Sequence, residues 1–422
     1  MNVLLVGQGY VGLPVSMAAV SAGFHVTGFD TDPAKTDLLT GGGSHVEDIP
    51  SATVRAALDS GRYRVVSDTA ELNGFDVAVI TVPPPLTDGI PDLGAVEAAA
   101  AMVGGLLTTG GLVVLESTTW PGTTTEIVGP ILEAKSGLRA GVDFHLGYSP
   151  ERIDPGNATY TLETTPKVVS GIDAESLARV QGFYDNVVDR TVPVRSPKEA
   201  ELTKLLENTF RMVNIGMVNE MALMCKRLGV DVWEVIDAAA SKPFGFMKFT
   251  PGPGLGGHCI PIDPLYLSWK LHALKYTARF IELASEINSN MPRHVISLVM
   301  DGMNSQGKAL KDNRVLVLGA AYKPDIDDLR ESPALDVITL LKEKGALVLY
   351  HDPYIAQLHH DGWDMISVPD LMAAVRAVDC VVIITNHSTY DYPAILDAAK
   401  LVVDTRNALG KLGKDNPKVF RL

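Results

Sequence analysis

Residues 7–12 read Gly-Gln-Gly-Tyr-Val-Gly, and this short segment constrains the fold more than any other part of the chain. It stands between an apolar run, Asn2–Val6, and a small-residue helical pattern over residues 11–22. In that strand–turn–helix setting each glycine has a purpose. Gly7 permits a tight turn, Gly9 lets the backbone approach a pyrophosphate, and Gly12 lets helix and strand pack closely. The turn, with Tyr10 and Val11, then offers the free N–H groups of a helix N-terminus to phosphates. A second strand, His25–Phe29, runs into Asp30, an acid at the spacing expected of a dinucleotide site. A carboxylate there accepts both ribose hydroxyls and repels a 2′-phosphate, which favours NAD over NADP. The plain alternative is a glycine-rich turn in a domain without a cofactor.

The rest of the chain extends this beginning. Strands at 76–81, 111–116 and 144–147 alternate with helical patterns near 94–107 and 123–135, which implies a parallel sheet covered on both faces. From 197 to about 229, and over 233–240 and 264–300, apolar residues recur at three- and four-residue steps, the mark of helices. Between those helices the stretch 243–264 is too dense in Pro and Gly to be helical throughout. After Asn304 the alternation resumes, with strands at 314–318, 347–350, 380–385 and 401–404 and a helix at 333–344. The expectation is α/β: two Rossmann-like, doubly wound domains at 1–196 and 304–422, joined by a helical region at 197–303. A chain of 422 residues, at about 150 per domain, is long enough for this.

Composition narrows the function. The net charge of −14 and the lack of a basic run argue against nucleic acid as a partner. No apolar run approaches the roughly 18 residues needed to cross a bilayer, and the start lacks a signal-peptide pattern, so a cytoplasmic protein with no membrane partner is expected. Three cysteines, Cys225, Cys259 and Cys380, are too few and too far apart for a disulfide framework or a CxxC metal site, and no metal is expected.

Two further motifs carry chemistry. Residues 251–263, Pro-Gly-Pro-Gly-Leu-Gly-Gly-His-Cys-Ile-Pro-Ile-Asp, form a loop whose glycines let the backbone approach a ligand. Cys259 lies in it beside His258 and Asp263, whereas Cys225 and Cys380 fall in apolar segments and read as buried small hydrophobes. A thiol in that setting, in a chain with a dinucleotide turn, reads as a nucleophile. In the helical stretch 201–208, Glu-Leu-Thr-Lys-Leu-Leu-Glu-Asn, the i, i+4 spacing puts Lys204 and Asn208 on one face. An ammonium and a carboxamide so placed suit a developing oxyanion. Alone, they would read as a solvated helix face.

Taken together, GQGYVGLP, Ser149-Pro-Glu-Arg152, KLLEN, GGHCIPIDP and the 321–333 stretch AYKPDIDDLRESP resemble the UDP-glucose/GDP-mannose dehydrogenase family over nearly the whole chain. The resemblance implies two Rossmann-like domains joined by a helical dimerisation region, hence a homodimer or larger assembly. It also implies a nucleotide-sugar substrate and four-electron oxidation of the C6 hydroxyl to a carboxylate, using NAD and a catalytic cysteine. Such products are uronic acid precursors of polysaccharides. Residue by residue, Cys259 matches the nucleophile, Lys204 and Asn208 the oxyanion and substrate-orienting pair, and Asp263 a group handling water and protons. Glu151 matches an acid near the reacting carbon, and Thr118 a hydroxyl acting through water. Asp30 and Lys35 match adenosine-ribose contacts; Val82, Ser117 and Thr118 lie along the cofactor. Arg330 matches a cofactor contact from the C-terminal domain, and Gly256 and Lys323 match substrate contacts.

Two departures stand out. Glucose-specific members usually read GGSC where this chain reads GGHCIPID, a version closer to the UDP-N-acetylhexosamine branch, as is PFGFMKFTPGPGL before it. The segment usually reading VPTP is Val82-Pro83-Pro84-Pro85. Implied is a UDP- or dTDP-linked hexose, glucose or N-acetylglucosamine, oxidised through a Cys259 thiohemiacetal and thioester. Lys204, Lys323 and Lys242 or Lys248 are the candidate cations for an anionic substrate. The rival readings are a two-electron β-hydroxyacid dehydrogenase, which needs no cysteine loop, and a non-catalytic nucleotide-sugar binder.

Overall fold

The computed structural model describes residues 1–87, 90–154, 157 and 159–422, in two compact units. Unit 1 comprises residues 1–207 with 269–275, and unit 2 residues 208–268 with 276–422.

Unit 1 is built on strands β1 (Asn2–Val6), β2 (His25–Phe29), β3 (Tyr63–Val66) and β4 (Val77–Ile80). A two-residue ladder follows, β5 (Leu86–Thr87) with β6 (Ile90–Pro91), then β7 (Leu112–Leu115), β8 (His145–Tyr148), β9 (Lys167–Gly171) and β10 (Thr191–Pro193). The large sheet has the order β10-β9-β8-β7-β4-β1-β2-β3. It is parallel from β3 to β8, β9 runs antiparallel to β8, and β10 runs parallel to β9. Helices α1 (Gly12–Ser21), α2 (Pro33–Thr40), α3 (Ser51–Asp59), α4 (Gly94–Leu106), α5 (Gly129–Ser136) and α6 (Ala174–Tyr184) make the connections. Both faces of the sheet are covered, one core cluster holding Val3, Leu5, Val77, Val79 and α1, the other Leu4, Val6, Ala78, Ile80 and α4. Complete burial is why these strands read as unbroken apolar runs.

The chain passes into unit 2 along α7 (Pro197–Leu228), a single helix of 32 residues. Then come α8 (Val232–Ala240), α9 (Asp263–Ala273), whose last turn lies in unit 1, and α10 (Arg279–Ser305). Next are β11 (Arg314–Leu318), α11 (Pro333–Glu343), β12 (Leu347–His351), the hairpin β13 (Gln357–His360) and β14 (Trp363–Ile366), and α12 (Leu371–Ala377). The chain ends through β15 (Cys380–Ile383), α13 (Tyr392–Ala398), β16 (Val402–Asp404) and β17 (Val419–Arg421). The second sheet, β12-β11-β15-β16-β17, is entirely parallel. Both sheets are therefore of the Rossmann-like, doubly wound kind expected.

Two local expectations change. The helix expected over 123–135 begins with a π-helical turn, Thr124–Val128, before α5. The block at 264–300 is two helices, parted by residues 274–278, where Lys275 takes φ +60°. Pro292 sits inside α10 and denies it one backbone hydrogen bond. Along α7, the exposed residues Leu202, Leu206, Phe210, Met217, Met221, Met224 and Leu228 follow three-, four- and seven-residue steps. They form one apolar stripe facing solvent. Phe280, Leu283 and Met300 of α10 are exposed as well.

Candidate active site

The glycine turn closes β1 where the strand order reverses, with β2 on one side and β4 on the other, the position at which doubly wound sheets bind ligands. Gly7 has φ +94°, and a Cβ on Gly12 would lie 1.8 Å from the Gly7 carbonyl oxygen, so both positions demand glycine. A Cβ on Gly9 would meet nothing within 4 Å, which leaves open space beside that backbone. Val11, at the N-terminus of α1, makes no side-chain cap. Open backbone next to such a helix start fits the pyrophosphate of NAD.

Asp30, just beyond β2, accepts hydrogen bonds from the Gln8 N–H at 2.8 Å and the Asp32 N–H at 3.1 Å, and pairs with Lys35 at 2.9 Å. Burial pushes its pKa up, but Lys35 and the two N–H donors outweigh this and hold it below the usual 3.8. Asp30 and Lys35 thus form one unit just beyond β2. Gln8, a residue the sequence reading passed over, braces the turn from beneath. Its side chain is fully buried, donating to the carbonyls of Leu5 and Gly7 and accepting from Ser16 and from the Tyr63 hydroxyl at 2.7 Å. Thr81, beyond β4, donates to the carbonyls of Val6 and Gly7. Val82 follows it, half-buried, and Ser117, buried after β7, donates to the Ile80 carbonyl; Thr118 is half-buried.

Lys204 and Glu151 meet in unit 1. The ammonium lies 3.0 Å from the Glu151 carboxylate and donates to the Glu151 carbonyl at 2.8 Å, with both side chains about nine-tenths buried. One turn earlier on α7, Glu201 is fully buried and accepts from the N–H groups of Gly122 and Thr124 and from the Thr124 hydroxyl. Burial dominates at Glu201 and raises its pKa despite those three donors. Arg152 donates to the Pro166 carbonyl at 2.7 Å and pairs with Glu207.

In unit 2, Asn208 donates to Asp263 at 2.6 Å. Cys259 is half-buried, its sulfur 3.4 Å from His258 Nδ1, while Cys225 and Cys380 are buried. Burial pushes the Cys380 thiol far up, as expected of an inert cysteine. The Cys259 carbonyl accepts from the Asp263 N–H at 2.8 Å, which closes a turn between the two residues. The loop needs its glycines. A Cβ on Gly256 would come within 2.5 Å of the Tyr322 side chain, and Gly257 takes φ +88°.

A chain of buried amides, also unforeseen, holds this loop to its helices. Asn219 accepts from the Gly252 N–H at 2.8 Å and donates to Asn288 at 2.8 Å, and Asn288 donates to the Met212 carbonyl. Lys323 is half-buried in the loop after β11. Arg330 is engaged by Asp328 through bonds of 2.6–3.1 Å, and the 329–333 strap with Gly254, Leu255 and Pro261 lines a cavity of about 440 Å³. Of the further candidate cations, Lys248 pairs with Asp237 at 2.6 Å and Lys242 lies over the Phe244 ring.

Family models for all three segments of such enzymes match the chain. They are the NAD binding domain over residues 1–188, the central domain over 198–290 and the UDP binding domain over 316–411. The chain belongs to the UDP-glucose/GDP-mannose dehydrogenase family. This member is 32% identical over 415 residues to the UDP-N-acetyl-D-mannosamine dehydrogenase of Pyrococcus horikoshii, covering 97% of this chain and 96% of the relative. The solved structure of UDP-D-ManNAc dehydrogenase from that organism superposes with a TM-score of 0.90 over 97% of this chain and 96% of that one. The UDP-N-acetyl-D-glucosamine 6-dehydrogenase of Pseudomonas aeruginosa is 33% identical over 397 residues, covering 92% of this chain and 91% of the relative. The family member described here is thus an oxidoreductase with an NAD-binding domain and a nucleotide-sugar-binding domain. No helix among its described residues is long and apolar enough to cross a membrane.

Proposed function

We propose that this protein oxidises the C6 hydroxyl of a UDP-linked N-acetylhexosamine to the carboxylate, in two hydride transfers, with Cys259 holding the intermediate aldehyde. What supports the reading is that one chain carries both a buried Lys204–Glu151 contact, in unit 1, and a half-buried thiol on a glycine loop, in unit 2. The relatives named for N-acetylhexosamine substrates, and the GGHC sequence, support the choice of sugar. Bound NAD supplies the hydride acceptor for each oxidation; Gly9 and the start of α1 would hold its pyrophosphate, and Asp30 with Lys35 its ribose.

The residues then divide the work. Glu151, beside Lys204, takes the hydroxyl proton directly or through a water that Thr118 orients. The Cys259 thiolate adds to the aldehyde before it escapes to water. Lys204 and Asn208 hold the oxyanion of the thiohemiacetal, an effect worth about 3–4 kcal/mol for one well-placed donor. After the second oxidation the thioester is opened by water, with Asp263 receiving a proton. Lys323 and Gly256 serve substrate binding and Arg330 the cofactor. The molecule works as a homodimer or larger assembly in the cytoplasm, a second copy covering the α7 stripe, since exposed apolar stripes of that length mark interaction surfaces. The three-domain division at 196 and 303 belongs to this proposal.

The test is NADH production with UDP-N-acetylmannosamine, UDP-N-acetylglucosamine, UDP-glucose, dTDP-glucose and GDP-mannose. Two NADH per N-acetylhexosamine consumed is the expected result. Preference for UDP-glucose or dTDP-glucose would overturn the sugar, and one NADH per sugar the covalent step.

A further inference from the structure

Unit 1 contains a buried ion pair that neither the glycine turn nor the Lys204–Glu151 contact accounts for. Glu116 directly follows β7, and Lys167 opens β9; their side chains are 0% and 3% exposed, with Lys167 Nζ 3.2 Å from Glu116 Oε1. The Tyr184 hydroxyl, at the end of α6, donates to the same oxygen, and the ammonium lies 4.8 Å from the centre of the Tyr184 ring. Stability alone is a poor reason for such a pair, because apolar replacements of buried ion pairs are often neutral or stabilising.

The ammonium has another task. It donates to the carbonyl of Pro150 at 3.2 Å. Pro150 is buried and precedes Glu151, whose own carbonyl is held by Lys204 at 2.8 Å. Two consecutive carbonyls are therefore fixed by two buried lysines, one from β9 and one from α7. The neighbours are tied to the same strand and its approach: Ser149 donates to the Val168 carbonyl, and Arg152 to that of Pro166. On the other side, Glu116 leads directly into Ser117 and Thr118, and Glu201 secures Gly122 and Thr124 at the far end of that loop. The result is a closed circuit: Glu116 to Lys167, Pro150 and Glu151 to Lys204, then along α7 to Glu201 and back through the 117–124 loop.

We infer that Lys167, balanced by Glu116, is a positioning residue for the Lys204–Glu151 pair, acting through the Pro150 carbonyl and never on the substrate itself. A donor is needed that reaches from β9 to the 149–152 segment. A buried ammonium does this only with a counter-charge, and Glu116 is that counter-charge. The inference rests on the proposed role of Lys204 and Glu151.

The test compares wild type with Lys167→Arg, Glu116→Gln and the charge-free double variant Lys167→Met/Glu116→Gln, which leaves no orphaned carboxylate. Turnover is expressed per NAD-binding site counted by calorimetry, so loss of folded protein does not mimic loss of rate. The double variant should lose about 10- to 100-fold in kcat with KM for NAD unchanged, the size usual for supporting residues around a reactive group. Glu116→Gln should lose a smaller factor, and Lys167→Arg, which keeps the charge but sets a larger planar fork beside the Tyr184 ring, should lose less than the double variant. A second readout needs no turnover. Tryptic cleavage after Arg152 should be faster in the double variant, because its segment has lost an anchor. Wild-type kcat per site in both Glu116→Gln and the double variant, or unchanged cleavage at Arg152, would overturn the inference. Should wild type oxidise none of the nucleotide sugars, the proposed function fails, and the cleavage rate still decides whether Lys167 holds the segment.

Discussion

Replacing Lys204 by alanine separates what the residue does for the fold from what it does for the reaction. Its ammonium is 3.0 Å from the Glu151 carboxylate, with both groups largely out of water. At an effective dielectric of about 20, two unit charges at that distance attract by about 5–6 kcal/mol, part of which only offsets their desolvation. Removing one partner of a buried pair leaves the other uncompensated and costs about 3–5 kcal/mol. In a unit of roughly two hundred residues, where 1 kcal/mol shifts the melting temperature by about 2–4 °C, Lys204→Ala should melt about 6–20 °C lower. The chemical loss is separate: one oxyanion donor contributes about 10²–10³ in kcat. The double variant Lys204→Ala/Glu151→Gln removes the orphaned charge. It should regain more than half of the lost melting temperature and none of the lost rate. NAD affinity, measured by calorimetry, should stay within about twofold in both, since the ammonium works on a species absent from the ground state. The reasoning is refuted if the double variant recovers turnover, or if the rate loss of Lys204→Ala vanishes once corrected for the folded fraction.

Three further outcomes are expected. Cys259→Ser should perform the first oxidation and stall, giving at most one NADH per sugar and no carboxylate, whereas serine at Cys225 or Cys380 should change stability alone; NADH counting with mass spectrometry of the denatured variant decides. Wild type should prefer NAD over NADP by at least about tenfold, and Asp30→Ala, which frees Lys35 from its 2.9 Å pairing, should shrink that ratio below about threefold in kcat/KM. In unit 2, burial raises the Asp352 pKa, but the His387 imidazole at 2.9 Å and the N–H groups of Ala320 and Tyr354 outweigh it and hold the value below 3.8. Its contribution is thus fully present above pH 3.8 and is lost as pH falls through the lower folded-state value, so Asp352→Asn should flatten the acid limb of a urea-unfolding series.

What could be read from the residues, and what could not, divides along sequence distance. The β1 turn, the strand running into Asp30 and the helix carrying Lys204 and Asn208 are local patterns, and the structure has that turn, strand and helix in place. Cys259 was separable from Cys225 and Cys380 because its neighbours are glycines, and it alone of the three is half-buried. Strand β9 was missed because its five residues, Lys-Val-Val-Ser-Gly, hold only two apolar side chains, too short a run to mark a buried strand. The Glu116–Lys167–Tyr184 cluster joins residues far apart in sequence, and nothing in a single chain pairs them. Asn219 and Asn288 were hidden for a different reason. On a helix, polarity ordinarily marks the wet face, whereas these amides are buried as hydrogen-bonding partners of one another and of the backbone.

The stripe along α7 includes Met217, Met221 and Met224, all exposed in the single chain. A thioether open to solvent is oxidised by peroxide to a polar sulfoxide, while one packed under a neighbour is shielded. These three side chains are therefore built-in reporters: their oxidation rates, followed peptide by peptide, test whether a second surface covers the helix. The same chemistry makes this face vulnerable. Sulfoxides along α7 would render the stripe hydrophilic while leaving the buried Lys204–Glu151 contact untouched, so oxidation there would change this surface without reaching that ion pair.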